Sequence, residues 1–161
     1  MIILLMGVTG AGKTTVGLAL AKQLHWRFVD ADDYHSPANI AKMRAGIPLT
    51  DADRTPWLNA LHDAICGCLA AGENLVLACS ALKATYRELL LVSSEVKLVY
   101  LRATMELITA RVAARTGHYM NPALVPSQFA TLEEPCGDAL TVDAGLSVAE
   151  IVRKIRDALK I

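Results

Sequence analysis

Short strand-like apolar runs alternate along the chain with longer segments that have helical periodicity. The runs lie at Ile2–Met6, Phe28–Asp30, Leu75–Cys79, Lys97–Leu101 and Leu140–Val142. Apolar positions recur at helical spacing in Thr14–Leu24, Trp57–Ala71, Met105–Ala114 and Val148–Leu159. This alternation predicts an α/β domain in which helices cover both faces of a five-stranded, largely parallel sheet.

Two segments interrupt the alternation. Residues 35–54 contain a helical stretch that ends near Gly46 and is followed by Pro48 and an acidic turn. Residues 116–135 are polar and are punctuated by glycine and proline. Insertions of this size in a compact domain are usually lids or binding loops. We therefore expect a substrate-binding insertion at about 35–56 and a lid at about 115–135, both within a single domain that spans residues 1–161.

Composition supports one compact domain and argues against several classes of partner. The chain has 161 residues, of which 53% are hydrophobic, and 16 Lys plus Arg balance 16 Asp plus Glu. A net charge of zero argues against nucleic acid and against an anionic membrane surface. The apolar runs are shorter than the roughly 18 residues of a membrane span, and the first residues lack the features of a signal peptide. We expect a cytoplasmic protein that binds neither nucleic acid nor membranes.

The four cysteines show no metal-binding pattern. They are Cys66, Cys68, Cys79 and Cys136. None of them has CxxC spacing or a histidine cluster nearby, which disfavours a zinc site. We interpret them as buried thiols without a function.

Residues 7–14, GVTGAGKT, match the pattern GxxxxGK[ST] between the first strand-like run and the first helical segment. Glycines allow the backbone N–H groups of such a loop to face a phosphate, and the helix N-terminus adds partial positive charge. Lys13 would reach the outer phosphates and the Thr14 hydroxyl would ligate Mg²⁺. The motif predicts a nucleoside triphosphate site formed by Gly7, Val8, Thr9, Gly10, Ala11, Gly12, Lys13, Thr14 and Thr15.

Two features that are missing from the sequence favour a small-molecule kinase over a GTPase or an ATPase motor. The chain has no Asn-Lys-x-Asp segment that would recognise guanine. The third strand-like run ends in Ala78-Cys79-Ser80 rather than in a carboxylate suited to a Walker B role. A kinase needs an acceptor site beside the phosphates, so the remaining chemistry is sought in the polar residues near the strand ends.

A pair of carboxylates, Asp30 and Asp32, follows the second strand-like run. Alternate side chains of an extended segment point the same way, so both would face the crevice at the carboxyl ends of the strands. We predict that Asp30 joins Thr14 in holding Mg²⁺. We predict that Asp32 orients a substrate hydroxyl or accepts its proton during attack on the γ-phosphoryl group. The alternative is that both are solvated loop carboxylates.

Arg111 and Arg115 lie four residues apart near the end of a helical segment, and therefore on one helix face, just before the expected lid. A guanidinium can stack on a base or bind phosphate oxygens with two N–H groups. We predict that Arg115 contacts the transferring phosphoryl group and that Arg111 stacks near adenine. The alternative is a solvated face with cations at a helix C-terminus.

Three segments beyond the phosphate-binding loop resemble those of small P-loop carbohydrate kinases, specifically gluconokinases. The first is HSPANIAKM at 35–43 followed by GIPLTDADRTPWL at 46–58. The second is CSALK at 79–83 with Tyr86 and Arg87. The third is GHY at 117–119 with QFATLEEP at 128–135. The segment after Pro135 departs from the family pattern, which usually has a short acidic stretch there, and this departure concerns the adenine loop.

The resemblance implies a three-layer P-loop kinase fold with a helical lid, and ATP-dependent phosphorylation of D-gluconate at its 6-hydroxyl. It also implies Mg²⁺ and a homodimer. Gluconate is a polyol with one carboxylate, so its site should offer cations and hydroxyl partners. The substrate-binding residues implied in this way are Asp32, His35, Arg54, Lys83, Arg87, His118 and Gln128.

Several of these assignments have alternatives. Arg54 would also be able to bridge Asp51 or Asp53, and Arg87 to pair with Glu88 or a neighbouring turn. His35 would hydrogen-bond the sugar or cap the following helix. The chain as a whole has two competing interpretations: a kinase for another small acid or polyol such as shikimate, or a nucleotide-binding switch that hydrolyses ATP slowly. The shikimate kinase family normally has glycines where Cys79-Ser80-Ala81 stands, which argues against the first.

Overall fold

The computed structural model describes residues 1–114 and 122–161. Its centre is a five-stranded sheet with the strand order β2-β3-β1-β4-β5, in which every pair of neighbouring strands is parallel. The strands are β1 Ile2–Met6, β2 Arg27–Asp30, β3 Leu75–Ala78, β4 Val96–Arg102 and β5 Leu140–Asp143. The predicted parallel sheet and its five strands are confirmed.

Helices connect the strands and cover both faces of the sheet. They are α1 Lys13–Leu24, α2 Pro37–Arg44, α3 Asp51–Ala70, α4 Ala84–Leu90, α5 Met105–Ala113, α6 Val125–Thr131 and α7 Val148–Leu159. Short 3₁₀ turns lie at Ala31–Tyr34 and Pro122–Leu124. None of the helices in the described ranges combines the length and the apolar character that a membrane span requires.

The alternation of side chains along β1 separates two hydrophobic cores. Ile3 and Leu5 pack on the side of α1, α5 and α7, where they meet buried residues such as Leu20. Ile2 and Leu4 pack on the opposite side, against α3 and α4. All five residues of β1 are buried, as expected for a central parallel strand covered by helices on both faces. The three-layer prediction is confirmed.

Two helices differ from the sequence prediction. Helix α3 begins at Asp51, so the expected acidic turn is its first helical turn. Thr50 is the N-cap of a capping box with Asp53, and this cap starts the helix ahead of Pro56. Helix α4 was not predicted, because its seven residues are too few to show helical periodicity.

The strand order determines where the polar loops meet. Strands β1, β3 and β2 are neighbours, so the loops after their carboxyl ends lie side by side at one edge of the sheet. These loops carry the glycine-rich segment, residues 79–83 and the Asp30–Asp32 pair. Helix α6 approaches the same edge of the sheet, since Gln128 contacts Thr9. The fold therefore brings together segments that are more than a hundred residues apart.

Candidate active site

The glycine-rich loop has a backbone that only glycine adopts readily. Gly12 has φ 98° and stands at the N-cap of α1, which has no side-chain cap. Gly7 has φ 149°, and a Cβ added there would lie 2.8 Å from the carbonyl oxygen of Leu101. A helix N-terminus whose N–H groups are not capped by a side chain is well suited to bind phosphate.

Lys13 extends back over this loop. Its Nζ donates hydrogen bonds to the carbonyl oxygens of Gly7 and Val8, each at 3.0 Å. The ammonium group is thus held at the mouth of the loop, close to where a bound phosphate would lie. Compensating the charge of the phosphates is the part that such a lysine plays in P-loop enzymes.

Thr14 and Asp30 are brought into direct contact. The Thr14 hydroxyl donates to Asp30 Oδ2 at 2.7 Å, and Asp30 Oδ1 accepts the backbone N–H of Asp32 at 3.1 Å. The pair fits Mg²⁺, which prefers hard oxygen ligands and usually binds one or two carboxylates together with substrate phosphates and water. Within the described ranges no cluster of three or more His, Cys, Asp or Glu side chains forms a cage for a metal ion.

Asp32 does not lie on an extended segment, so the geometric reason given for it was wrong. It belongs to the 3₁₀ turn that Asp30 caps. The backbone turns there because the Asp30 carboxylate accepts the Asp32 N–H and ends the strand. Asp32 nevertheless lines the same cavity as Lys13 and Asp30. We call this the inner cavity, and its walls also include Thr9, His35 and Cys79.

His35 forms another wall of the inner cavity. Its ring stacks on the indole of Trp57 with centroids 4.4 Å apart, and Trp57 Nε1 donates to the carbonyl oxygen of Ala31 at 2.6 Å. Burial lowers the pKa of His35, against the opposing effect of Asp32. His35 Nδ1 is buried and has no hydrogen-bond partner among the described residues. The capping alternative is wrong, because Ser36 caps α2.

A second cavity, the outer cavity, adjoins the inner one and has a volume of about 280 Å³. Met43, Leu49, Arg54, Leu82, Gln128 and Thr131 line both. Asp51 and Lys83 line only the outer cavity, whereas Tyr86 lines only the inner one. Polar side chains that converge in a cleft at the carboxyl edge of the sheet are typical of a small-molecule site.

Three groups of the cleft surround the carboxylate of Asp51. Lys83 Nζ donates to both of its oxygens at 2.8 Å, and the Tyr86 hydroxyl donates to Oδ1. Arg54 Nη1 lies 4.0 Å from Oδ1 and donates to the carbonyl oxygen of Leu49 at 2.6 Å. Hydrogen bonds from Lys83 and Tyr86 lower the pKa of Asp51, and the Asp51 carboxylate raises the pKa of Lys83.

Arg87 is not part of the cleft wall. Its side chain is buried, and Nη1 donates to the carbonyl oxygens of Ala81 and Leu82 at 3.0 Å. Ala81 has φ 43°, a left-handed conformation that is uncommon for alanine. Arg87 therefore braces the strained turn before Lys83, in line with the neighbouring-turn alternative, and it lines neither the inner nor the outer cavity.

Arg111 lies on the other side of the glycine-rich loop. Its Nη2 donates to the carbonyl oxygen of Ala144 at 2.7 Å. Its Nη1 donates to the carbonyl oxygens of Gly10 and Ala11, each at 3.4 Å. It borders a third cavity of about 330 Å³, the side cavity, together with Thr15 and Leu146. A partly apolar pocket beside a phosphate-binding loop suits a nucleotide base. Arg111 holds the loop against the β5–α7 connection at the edge of this pocket.

Gln128 connects helix α6 to the glycine-rich loop. Its Oε1 accepts the backbone N–H of Thr9 at 2.7 Å. Gln128 stands on α6 and lines both the inner and the outer cavity. It was expected to bind substrate, and its contact with the loop was not foreseen. Arg115 and His118 lie outside the described residues.

Sequence reasoning missed Asp51 and Tyr86 as site residues. Both stand inside motifs that were recognised, but the helical start at Asp51 was interpreted as a turn. The cysteine interpretation also needs correction: Cys68 and Cys79 are buried, whereas Cys66 and Cys136 are exposed. Burial raises the pKa of Cys79 to about 12, so this thiol of the inner cavity stays protonated.

Comparisons with known proteins identify the family to which the chain belongs. A family model described as shikimate kinase matches residues 9–136. The probable gluconokinase of Mus musculus is 42% identical over 179 residues, which covers 99% of this chain and 97% of that protein. The structure of a gluconokinase from Sinorhizobium meliloti 1021 has a TM-score of 0.86 at 41% identity, covering 98% of this chain and 90% of that one. A sugar kinase from Janibacter sp. HTCC2649 has a TM-score of 0.92 at 39% identity and covers 99% of this chain and 94% of its own. The chain belongs to the gluconokinase family, a branch of the shikimate kinase-like P-loop kinases.

Proposed function

We propose that this chain transfers the γ-phosphoryl group of ATP to the 6-hydroxyl of D-gluconate and so forms 6-phospho-D-gluconate. One observation carries the proposal: the inner cavity joins Lys13 to the carboxylate of Asp32, and it adjoins an outer cavity with cationic side chains. Phosphate site, candidate base and cations thus follow one another along one cleft. Gluconate has a hydroxyl at one end and a carboxylate at the other, which matches that order.

In the proposed complex, the triphosphate lies over the N-terminus of α1. Lys13 exchanges its hydrogen bonds to Gly7 and Val8 for phosphate oxygens. The adenine base occupies the side cavity, with Arg111 at the edge of that cavity. From there the triphosphate passes Thr15 and reaches Lys13. Thr14 and Asp30 supply oxygen ligands for Mg²⁺, which when bound neutralises charge on the phosphates.

Asp32 acts on the acceptor hydroxyl. It is half-buried in the inner cavity and faces the same space as Lys13. A carboxylate there can accept the hydroxyl proton as the oxygen attacks the γ-phosphorus, while the bond from that phosphorus to the β-bridging oxygen breaks. His35, whose pKa burial lowers, offers a neutral imidazole with one donor and one acceptor to a sugar hydroxyl.

The carboxylate of gluconate binds in the outer cavity. Arg54 and Lys83 are the cations on its walls, and an arginine fork or a lysine ammonium is the usual partner of a carboxylate. Arg54 lines both cavities and so contacts the substrate near its middle. Arg87 supports this site from below through the turn at Ala81 and Leu82.

The lid completes the proposal. Gln128 ties α6 to Thr9. The helical spacing of Arg111 and Arg115 adds Arg115 at the transferring phosphoryl group, and the family resemblance adds His118 at the substrate. Closing a lid excludes water, which protects the phosphoryl group from hydrolysis. The homodimer and the cytoplasmic location remain predictions of the sequence.

The test is a coupled assay of ADP release with Mg·ATP and four conditions at equal concentration: D-gluconate, shikimate, glycerate and no acceptor. We expect turnover with D-gluconate and only background with the other three. Equal ADP release without an acceptor would instead indicate a slow nucleotide hydrolase. Preferential turnover of shikimate or glycerate would keep the phosphate site and overturn the assignment of the acceptor.

A further inference from the structure

Glu133 binds the backbone on both sides of Lys83, although it stands outside the cleft. Its N–H donates to the carbonyl oxygen of Leu82 at 2.9 Å, and its Oε2 accepts the backbone N–H of Ala84 at 2.6 Å. Glu133 lines neither the inner nor the outer cavity, and the proposed reaction gives it no part. A cation of the outer cavity is thus held by a residue that is separated from Ala84 by 49 positions in the chain.

Helix α4 starts without a cap from its own residues. Lys83 is the N-cap residue, but its side chain makes no capping hydrogen bond and reaches Asp51 at 2.8 Å instead. The first turn of α4 contains no acidic residue. A helix N-terminus has N–H groups without intrahelical partners and a partial positive charge, and a carboxylate satisfies both. Glu133 supplies that carboxylate, so the side chain of Lys83 is left to face the outer cavity.

Arg87 holds the same turn through different contacts. The carbonyl oxygen of Leu82 accepts hydrogen bonds from Arg87 Nη1 and from the Glu133 N–H, and Arg87 also binds the carbonyl oxygen of Ala81. The left-handed φ of 43° at Ala81 is uncommon for alanine, and surrounding contacts must maintain such a conformation. Lysine has a long and flexible side chain, so a fixed backbone reduces the range of positions that the Lys83 ammonium samples.

We propose that Glu133 is a positioning residue of the acceptor site, which fixes the backbone from which Lys83 reaches the carboxylate of the acceptor. The inference rests on the proposed function for the identity of the acceptor and for the part that Lys83 plays in binding it. Glu133 acts through Leu82 and Ala84 on either side of Lys83. Loss of its carboxylate releases the first turn of α4, which weakens binding of the acceptor and leaves binding of the nucleotide unchanged.

The first test compares two variants of Glu133 in steady-state kinetics with D-gluconate and Mg·ATP. Glu133→Ala removes the acceptor of the Ala84 N–H and should raise the KM for D-gluconate by about tenfold, as expected for one hydrogen bond to a charged group. The KM for ATP should change little. Glu133→Gln retains an oxygen acceptor without the charge and should recover most of the wild-type KM for D-gluconate.

Glu134→Ala is the matched control, because Glu134 is the next residue and is also a glutamate. It contacts the Tyr100 hydroxyl and Arg102 Nε, each at 3.3 Å, and lines neither the inner nor the outer cavity. Its removal should leave the KM for D-gluconate unchanged. A purely structural role of Glu133 would lower the melting temperature and the fraction of active enzyme, and therefore kcat, without a selective rise in that KM. This second pattern would overturn the inference.

A double variant shows whether Glu133 acts through Lys83. Lys83→Met retains an unbranched side chain without the charge and should itself raise the KM for D-gluconate. If Glu133 acts through Lys83, Glu133→Ala raises that KM no further in the Lys83→Met enzyme, because the two effects are coupled. Additive effects, or an unchanged KM for Glu133→Ala beside a raised KM for Lys83→Met, would overturn the inference alone. An unchanged KM for Lys83→Met would show that the proposed acceptor site is wrong, and the inference would fall with it.

Discussion

Two adjacent aspartates show how much the surroundings of a residue decide its chemistry. Asp32 is half-buried and lines the inner cavity with Lys13, whereas Asp33 is exposed and lines neither the inner nor the outer cavity. Asp32 faces the cleft as predicted, although not through the strand alternation that predicted it. The 3₁₀ turn depends on a hydrogen bond from the Asp32 N–H to the Asp30 side chain, and a period-two pattern does not reveal such a bond.

The first prediction concerns Asp32 itself. Asp32→Asn should lower kcat by roughly 10²–10⁴-fold, because an amide cannot accept the acceptor's proton, while the KM for D-gluconate changes little. Asp33→Asn is the matched control and should retain wild-type kinetics. Steady-state rates with saturating Mg·ATP measure both. A near wild-type kcat for Asp32→Asn would remove Asp32 from its proposed role.

The second prediction concerns the buried imidazole of His35. Burial lowers its pKa in the folded protein, so the unfolded chain binds the proton more tightly. The stabilising contribution of neutral His35 is therefore complete above the ordinary pKa of 6.5 and is lost as the pH falls from there through the lowered folded value. Wild-type protein should lose more free energy of unfolding than His35→Gln between about pH 7.5 and about pH 5.

Urea unfolding at a series of pH values measures this difference directly. Asp32 opposes the shift and Arg54 adds to it, so Asp32→Asn should make the loss on acidification larger. Parallel pH curves for wild type and His35→Gln would show that His35 titrates as a free residue. Its Nδ1, which has no hydrogen-bond partner in the described part of the chain, would then have no energetic consequence.

Helices and strands position these residues, and helix α6 is the hardest of them to predict from the sequence. The sequence of residues 116–135 looked polar and irregular, and its short helix Val125–Thr131 has no clear apolar period. Its position follows from contacts that only the folded chain makes: Gln128 binds Thr9, and buried Leu124 packs with Met43 and Leu49. Long-range contacts of this kind are absent from any local pattern.

The third prediction tests the connection between α6 and the loop. Gln128→Ala removes the acceptor of the Thr9 N–H and should lower kcat/KM for D-gluconate by about two- to tenfold, as expected for one hydrogen bond. Gln128→Glu retains an oxygen acceptor for the Thr9 N–H but adds a negative charge that faces the phosphates, so it should raise the KM for ATP. Gln23→Ala, near the C-terminal end of α1 and outside both the inner and the outer cavity, is the control.

If Gln128 had only a structural role, its variants would change the free energy of unfolding but would not change kcat and the two KM values relative to one another. The informative quantities are therefore the KM for ATP, the KM for D-gluconate and kcat, each measured for both Gln128 variants. Identical kinetics for Gln128→Ala and wild type would show that the Thr9 contact has no part in the reaction. Thermal unfolding of the same samples reports whether the fold is retained.

At the scale of the whole molecule, the sequence contained enough to predict the architecture. Buried parallel strands have continuous apolar runs, and the first helix follows a loop with a specific motif, so the sheet and the glycine-rich turn before α1 were predictable. The arrangement of the acceptor cleft was not, because it depends on side chains from α3, α4 and α6 that meet only through the strand order. Asp51 lines the outer cavity but was not predicted as a site residue. Arg87 was predicted to bind substrate but lines neither the inner nor the outer cavity.

The most direct measurement of the central claim is phosphorus and proton NMR of the product formed from D-gluconate and Mg·ATP. The account predicts one ADP for each molecule of product, with the phosphate coupled to the protons of carbon 6, because that hydroxyl lies farthest from the carboxylate held in the outer cavity. No such product should form with Lys13→Ala. Phosphate on another hydroxyl would show that the substrate lies reversed or shifted in the cleft. Free phosphate without a sugar phosphate would contradict the phosphoryl transfer itself.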